Sequence, residues 1–234
     1  MLADYKIWGT RLVIPLHPHP NHHPHQDIGR RARRSRAVKH EQRGDSDPGE
    51  AERQIGQVLR IEGGDDQDVI ILEDAFGQDT IDGGDGGATD FDTLDMSALT
   101  VDTTVDLTSA NPEAGSVTAG ADIASFVDIE NIVLGGGTDT IVLADGSGSD
   151  TVNGFEAPTD LGGGNFTGND QIDVSGMTDA SGSPVNVADV TVTDTNGDGT
   201  GDAILTFPNG ESITLWGVPT ADVSTDSQLI AMGI

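Results

Sequence analysis

The chain contains no cysteine, and residues 61–234 contain no lysine, arginine or histidine. The first absence excludes a disulfide framework and a thiolate metal site. The second excludes ion pairs within that segment, although 33 of the 40 Asp and Glu residues lie there. A surface of this charge is repelled by nucleic acid and by anionic membranes, so neither is expected as a partner of residues 61–234.

Other shortages narrow the range of functions. No apolar run approaches the roughly 20 residues that span a bilayer, so membrane insertion is not expected. No His follows His40, and neither Gly-x-Ser-x-Gly nor His-Glu-x-x-His occurs, which argues against a catalytic triad and a zinc hydrolase. A carboxylate-pair glycosidase stays open, but aromatic residues, common sugar contacts, make up only 4% of the chain. We therefore expect a protein that is not an enzyme.

The first 60 residues differ in composition from the rest. They hold all 11 Lys and Arg and all 6 His, and prolines interrupt the His-rich stretch at positions 15, 18, 20 and 24. Those prolines oppose regular structure. Three interpretations stay open: a disordered tail, translation from a wrong start or frame, and a basic site for a metal ion or an anion. No function is assigned to residues 1–60.

A short repeat dominates residues 61–234. Its pattern is Gly-x-Asp-x-(Ile, Leu or Val), with close variants. The glycine allows a tight turn, the Asp side chain is directed back at that turn, and the aliphatic residue starts a strand. The Asp residues of these copies are Asp68, Asp79, Asp92, Asp139, Asp150 and Asp170. Period-two apolar patterns and abundant glycine predict an all-β protein.

The repeats are grouped in a longer duplication. Residues 68–81 match residues 139–152 at 7 of 14 positions, and residues 92–99 resemble residues 170–177. We therefore divide the chain into a tail (1–60), two copies of a module (61–136 and 137–188) and a terminal unit (189–234). Repeats of this kind predict an irregular parallel β-roll, or β-solenoid, in which stacked units share a core. Antiparallel hairpins and a short helix with a capping box at Thr225 are expected to follow.

Residues 194–202 form the sharpest single site in the sequence. Oxygen-bearing residues stand at positions 1, 3, 5, 7 and 9 of an EF-hand loop, with glycine at position 6. They are Asp194, Asn196, Asp198, Thr200 (through its carbonyl) and Asp202. Leu205 replaces the usual Glu at position 12 and both flanks read as strands, so water, Asp189 or Glu211 would have to complete a calcium shell. A metal-free turn is the alternative, because Asn-Gly and Asp-Gly also form hairpins.

Residues 63–71, Gly-Gly-Asp-Asp-Gln-Asp-Val-Ile-Ile, resemble the RTX, or haemolysin-type, repeat Gly-Gly-x-Gly-x-Asp-x-U-x, in which U is a large aliphatic residue. Asp66 replaces the third glycine, and the copies are irregularly spaced. In that family a parallel β-roll binds Ca²⁺ between successive turns through Asp carboxylates and glycine-turn carbonyls, and the proteins are secreted by the type I route. The resemblance thus implies calcium at the six repeat Asp residues and an extracellular location. The alternative is that these Asp residues only close turns.

Residues 168–234 also resemble the region that precedes a Hint (hedgehog/intein) domain in secreted bacterial RTX proteins, on the residues at 170–177, 194–212 and 231–234. The self-processing cysteine of that group has no counterpart here. The leading hypothesis is a structural module that folds when calcium neutralises its acidic turns. Its rival is an adhesin or matrix protein that binds a glycan or a cell-surface partner. Trp216 is predicted to cap the core rather than to contact sugar.

Overall fold

The computed structural model describes residues 58–64, 67–84 and 91–234, together with two short strands at residues 3–6 and 33–36. The expectation of a disordered or mistranslated tail over residues 1–60 falls mostly on residues outside these ranges. Within the described residues, the secondary structure is mainly β. The strands are β1 Ala3–Lys6, β2 Arg33–Arg36, β3 Val58–Glu62, β4 Asp68–Glu73, β5 Gln78–Asp82, β6 Thr93–Ala98, β7 Thr103–Asp106, β8 Gly115–Ala119, β9 Asp122–Val127, β10 Asn131–Val133, β11 Thr140–Ala144, β12 Ser149–Asn153, β13 Thr159–Gly162, β14 Asn165–Thr167, β15 Gln171–Gly176, β16 Thr191–Asp194, β17 Asp202–Thr206 and β18 Ser212–Pro219, and the α-helix is α1 Asp226–Ala231.

Two eight-stranded sheets carry most of these strands. The first sheet has the order β1-β3-β5-β9-β8-β7-β11-β15, and the second has the order β16-β17-β18-β12-β10-β6-β4-β2. From β1 to β7 and from β9 to β12, successive strands alternate between the sheets, and neighbours such as β4 and β6 or β11 and β15 pair in parallel. Each pair of successive strands therefore forms one coil of a roll.

Antiparallel segments interrupt this roll at two places. Strands β7, β8 and β9 form a meander within the first sheet, and β16, β17 and β18 form another at the end of the second sheet. Strands β13 and β14 form a separate hairpin. The predicted all-β class is confirmed: a parallel roll is followed by antiparallel hairpins and one short helix.

The strands form because apolar residues alternate with polar ones. In β4 and β12 the inward positions are buried while their neighbours are partly exposed, as period-two patterning requires. The buried side chains of both sheets form one hydrophobic cluster that runs from Ile61 to Met232. Each fully buried aliphatic side chain contributes about 1.5–3 kcal/mol to the stability of the fold.

Glycine pairs shape one edge of the roll. The Gly63 N–H donates to the Asp82 carbonyl at 2.8 Å, and the Gly64 N–H donates to the Gly83 carbonyl at 3.0 Å, so the two turns stack directly. A Cβ atom at Gly83 would overlap the carbonyl oxygen of Asp128 in the next coil. Glycine is therefore needed here for close backbone approach.

The C-terminal segment covers the last strand of the first sheet. The Ile172 N–H in β15 donates to the Met232 carbonyl at 2.6 Å. Helix α1 begins at a capping box in which Thr225 and Gln228 bond each other's backbone, and Gly233 follows it with φ of 98°. The predicted helix and its capping box at Thr225 are confirmed, and Gly233 is the left-handed glycine common after a helix end. Across the described ranges, no helix has the length and apolar character needed to cross a membrane.

Candidate metal sites

All six repeat Asp residues are buried; Asp68 begins a strand, and Asp92, Asp139 and Asp170 each immediately precede one, at corners of the roll. The side chains of Asp68 and Asp92 lie close to Gly63 and Gly83, respectively. A Cβ atom at Gly63 would lie 3.1 Å from Asp68 Oδ2, and one at Gly83 would lie 2.6 Å from Asp92 Oδ2. The turn glycine thus makes room for the carboxylate.

Four acidic residues stack at the start of the second-sheet strands, and we call this set the β4 column. Its members are Asp68, Asp92, Glu130 and Asp150. Parallel register aligns the first three in adjacent strands. Asp150 is level with Glu130, because the residues two positions further along the two strands, Val152 and Ile132, are paired. Adjacent strands are ~4.8 Å apart, so these carboxylates belong to consecutive, closely spaced coils.

Backbone N–H groups offset part of the charge in the β4 column. The Asp68 N–H donates to Asp92 Oδ1 at 2.7 Å, and the Asp92 N–H donates to Glu130 Oε2. Each carboxylate therefore accepts a hydrogen bond from the preceding coil. The series stops there, because the Glu130 N–H donates to the Asp92 carbonyl at 3.2 Å instead of to Asp150.

A second set, the β11 column, lies at the start of first-sheet strands and contains Asp139 and Asp170. The Thr103 N–H donates to Asp139 Oδ1 at 2.9 Å, and the Asp139 N–H donates to Asp170 Oδ1 at 2.8 Å. Asp170 Oδ2 accepts a further bond from the Glu156 N–H at 2.7 Å. These carboxylates hold three successive segments of chain in register. Charge-assisted bonds of this kind are stronger than neutral ones.

Buried carboxylate oxygens without a hydrogen-bond donor among the described residues include Glu211 Oε2 and, within the two columns, Asp139 Oδ2 and Asp150 Oδ2. Burial raises the pKa of Asp150 to about 7. Burial and the negative charge of Asp170 raise the pKa of Asp139 to about 6, although hydrogen bonds from Thr103 oppose the shift. Burial also raises the pKa of Asp170. A cation at either of the two column oxygens would relieve this desolvation penalty.

Asp79 lies outside both columns. It is a buried inward residue of β5, at the level of Leu59 in β3 and Ala124 in β9. The register therefore gives it no acidic neighbour within the sheet. It is the one repeat Asp of the six that the sheet register does not place beside another acidic residue.

The loop at residues 194–202 joins β16 to β17 in an antiparallel hairpin, as its flanking strands predicted. Asp194 organises it: Oδ1 accepts the N–H groups of Asn196 at 2.9 Å and Asp198 at 3.1 Å, and Oδ2 accepts that of Gly199 at 2.9 Å. Burial acts to raise the pKa of Asp194, but these donors outweigh it and hold that pKa below its usual value. The carboxylate at position 1 is therefore kept ionised at the centre of the loop.

The other loop residues have definite partners. Asp198 Oδ1 accepts bonds from the Thr200 N–H at 3.0 Å and the Thr200 hydroxyl at 2.6 Å. Asp202 Oδ1 accepts the Gly217 N–H at 2.8 Å, which ties the loop to β18. Asn196 lies exposed on the loop. An ionised carboxylate has about four lone-pair sites, so Asp194 and Asp198 keep capacity for a cation.

The two residues expected to complete the loop's calcium shell are both used elsewhere, so that prediction is wrong. Glu211 Oε1 accepts the Gly146 N–H at 2.8 Å, at the end of β18 away from the loop. Asp189 forms a capping box with Asn186. Over residues 58–64, 67–84 and 91–234, no three carboxylate or imidazole groups come together in a cluster that could hold a metal. Calcium at the loop would therefore need amide, hydroxyl, carbonyl and water oxygens as well.

Sequence reasoning missed Glu130 and Thr103. Glu130 occupies the Asp position two residues before Ile132, but no glycine precedes it to mark a turn. Thr103 precedes the Thr-Val pair of β7 and replaces the carboxylate at that level. Each stands two residues before a buried aliphatic residue of a strand, as the repeat Asp residues do, and this spacing was the signal that could have identified both.

Comparison of the chain with protein-family models, with curated proteins and with solved structures gives no match.

Proposed function

We propose that this chain is a calcium-dependent structural β-roll module of an exported protein. The observation that supports it best is the stacking of buried carboxylates in the β4 and β11 columns of a segment without any basic side chain. Two unit charges ~4 Å apart repel by ~1 kcal/mol even in water, and by more where solvent is excluded. A divalent cation neutralises two carboxylates at once.

The donor set suits calcium rather than a softer metal. Asp139 Oδ2 and Asp150 Oδ2 are buried carboxylate oxygens that lack a donor among the described residues, and the loop at residues 194–202 adds carboxylate, amide and hydroxyl oxygens. Hard cations such as Ca²⁺ prefer oxygen ligands of these kinds, and extracellular calcium modules bind at about 10⁻⁴–10⁻³ M. Within the proposal, Asp139, Asp150, Asp194 and Asp198 are ligands, while Asp170 mainly fixes the backbone.

Export follows from the same electrostatics. In calcium-poor cytoplasm, repulsion among 33 carboxylates would keep residues 61–234 extended and suited to passage through a secretion channel. Outside the cell, calcium would fold them. At free calcium about 100-fold above Kd, each site adds about 2.7 kcal/mol to the stability of the folded state, which is a large part of an ordinary domain's total of 5–15 kcal/mol.

A calcium titration of the full chain, followed by circular dichroism and urea unfolding, tests the proposal. We expect sheet structure and a cooperative urea transition to appear in millimolar calcium, and to be weak or absent in chelator and in equal magnesium. The double variant Asp139→Asn/Asp150→Asn should need less calcium for folding, because two repulsive charges are gone, yet bind fewer ions. Identical urea midpoints in chelator and in calcium would overturn the proposal.

A further inference from the structure

One surface of this acidic protein is neutral. It is the outward face of the second sheet over β12, β16, β17 and β18, where hydroxyl and amide side chains surround one aliphatic and one indole side chain. These residues are Ser149, Thr151, Asn153, Thr191, Thr193, Ile204, Thr206, Ser212, Thr214 and Trp216. All of them are uncharged, whereas residues 61–234 carry 33 carboxylates. Among these four strands, Asp202 at the start of β17 is the one carboxylate in the same outward phase, and it lies at the border of this surface. We call this surface the neutral face.

Trp216 projects from the neutral face and is 50% exposed, so the prediction that it caps the core is wrong. Alternation places it there, because Ile213 and Leu215 of the same strand face inward. A β-bulge follows it: Leu215 and Val218 both face inward, and the extra residue between them is Gly217, whose φ is 84°. The Gly217 N–H is held at 2.8 Å by Asp202 Oδ1. By register, Trp216 stands beside Asn153 of β12.

The remaining side chains form regular rows. Register places one row level across four strands and a second row two residues further along. The first row is Ser149, Ser212, Thr206 and Thr191, and the second is Thr151, Thr214, Ile204 and Thr193. Neighbours within a row are ~4.8 Å apart and the rows are ~6.8 Å apart. The face is therefore an array in which seven of the eight row residues carry a hydroxyl group that both donates and accepts hydrogen bonds.

We propose that the neutral face binds a neutral polysaccharide. Trp216 stacks on the apolar C–H face of a sugar ring, while Asn153 and the flanking hydroxyls bond the ring's hydroxyl groups. An indole combines a large apolar surface with a negative π face, which attracts polarised C–H groups. The proposal does not depend on calcium binding, because none of these side chains belongs to either acid column or to the loop at residues 194–202, and Asp202, the loop residue that holds Gly217, is not one of the four ligands proposed above.

Charge and shape favour this ligand over others. An anionic polysaccharide or nucleic acid would be repelled by the 33 carboxylates of the surrounding module. A stable protein interface buries ~800 Å² on each partner around an apolar and aromatic centre, whereas the neutral face offers two apolar side chains, Trp216 and Ile204. A flat neutral polymer needs one stacking platform with many hydrogen-bonding groups around it.

Binding of the full chain, in millimolar calcium, to insoluble cellulose and chitin and to a soluble neutral β-glucan tests the proposal, with alginate as the anionic control. We expect retention on at least one neutral polymer and none on alginate. Trp216→Ala should weaken retention about tenfold, the loss typical of one well-placed aromatic contact. Leu161→Ala is the matched control, because Leu161 is a 65% exposed apolar side chain on the β13–β14 hairpin, and it should bind like the unmodified chain.

Absence of retention on all three neutral polymers would overturn the proposal, and so would equal retention of Trp216→Ala and the unmodified chain. Equal losses in Trp216→Ala and Leu161→Ala would show nonspecific apolar adsorption and would also overturn it. Should Trp216→Ala fail to give a folded dichroism spectrum, Asn153→Asp adds a charge to the face without removing the indole and should reduce retention similarly. A chain that folds in chelator and still binds would refute calcium dependence and leave this inference standing.

Discussion

The substitution Asp150→Asn should act in opposite directions in chelator and in calcium. Asp150 is buried on the inward side of β12, and no donor reaches its Oδ2 atom among the described residues. Without metal, the buried negative charge of Asp150 lowers the stability of the folded state, and the neutral amide of Asn removes that penalty. With metal, the same change removes a ligand. One substitution therefore separates a metal-binding carboxylate from a merely buried one.

The size of the effect follows from the pKa of Asp150, which burial raises from 3.8 to about 7. Because the folded state binds the proton more tightly than the unfolded state, the proton's contribution to stability is complete below about pH 4 and is lost as the pH rises to about 7. A shift of about three pKa units corresponds to ~4 kcal/mol. In chelator, the unmodified chain should thus be less stable at neutral than at acid pH, and Asp139 should add to the same trend.

Urea unfolding in chelator, from about pH 4 up to the highest pH at which a cooperative transition persists, measures this dependence for both proteins. The Asp150→Asn variant should lose less stability with rising pH, by an amount near the ~4 kcal/mol above. Parallel pH profiles would refute the assignment of an unpaired, desolvated carboxylate. In calcium at neutral pH the variant should instead unfold at lower urea concentration than the unmodified chain. A stabilised variant under both conditions would refute Asp150 as a calcium ligand.

Two further substitutions test the loop and the stacked turns. Asp194→Ala should weaken terbium luminescence titrations of the loop more than Asp198→Ala does, because Asp194 also accepts three backbone N–H groups; equal effects would contradict its central position. Gly83→Ala should destabilise the chain in calcium by about 3 kcal/mol or more, since its Cβ would overlap the Asp128 carbonyl, whereas Gly136→Ala meets no close atom and should cost under about 1 kcal/mol. Similar urea midpoints for these two glycine variants would show that the turns do not stack as described.

The sequence predicts the repeating unit well because that unit is local. Glycine turn, inward carboxylate and aliphatic strand follow within a few residues, so the class of fold, the hairpin at residues 194–202 and the helix after Thr225 are all confirmed. The repeat sequence does not indicate which of the two sheets a given strand joins. Asp68 begins a strand of the second sheet, and its counterpart in the duplication, Asp139, precedes a strand of the first. One unit is half a coil, and half a coil fits either sheet equally well.

The site could be predicted only in part, for a related reason. Pattern identifies an acidic residue at a corner, but its partners come from the neighbouring coil, 24 to 38 residues away in the β4 column. The inserted meander β7-β8-β9 accounts for the longer of these separations, and nothing in the repeat reports it. Trp216 could have been placed correctly from alternation, because Ile213 and Leu215 face inward and put it on the outward side. Gly217 supplies the extra residue that separates Trp216 from Val218.

Under the calcium proposal, the half-coil unit also explains why metal would be needed at particular positions rather than at every turn. Because the duplicated segments 68–81 and 139–152 begin in different sheets, the acidic residues divide between two corners, and each column is short. Within a column the N–H of one coil serves one oxygen of the next carboxylate and can leave the other oxygen without a donor among the described residues, as at Asp139. Asp150 ends the β4 column, where Glu130 directs its N–H to a carbonyl and Asp150 Oδ2 likewise has no donor within the described ranges. Under the calcium proposal, the requirement for a cation should therefore concentrate at Asp139 and Asp150 and not at Asp170, which has a backbone donor on each oxygen. A regular ladder of equivalent sites would not predict this difference.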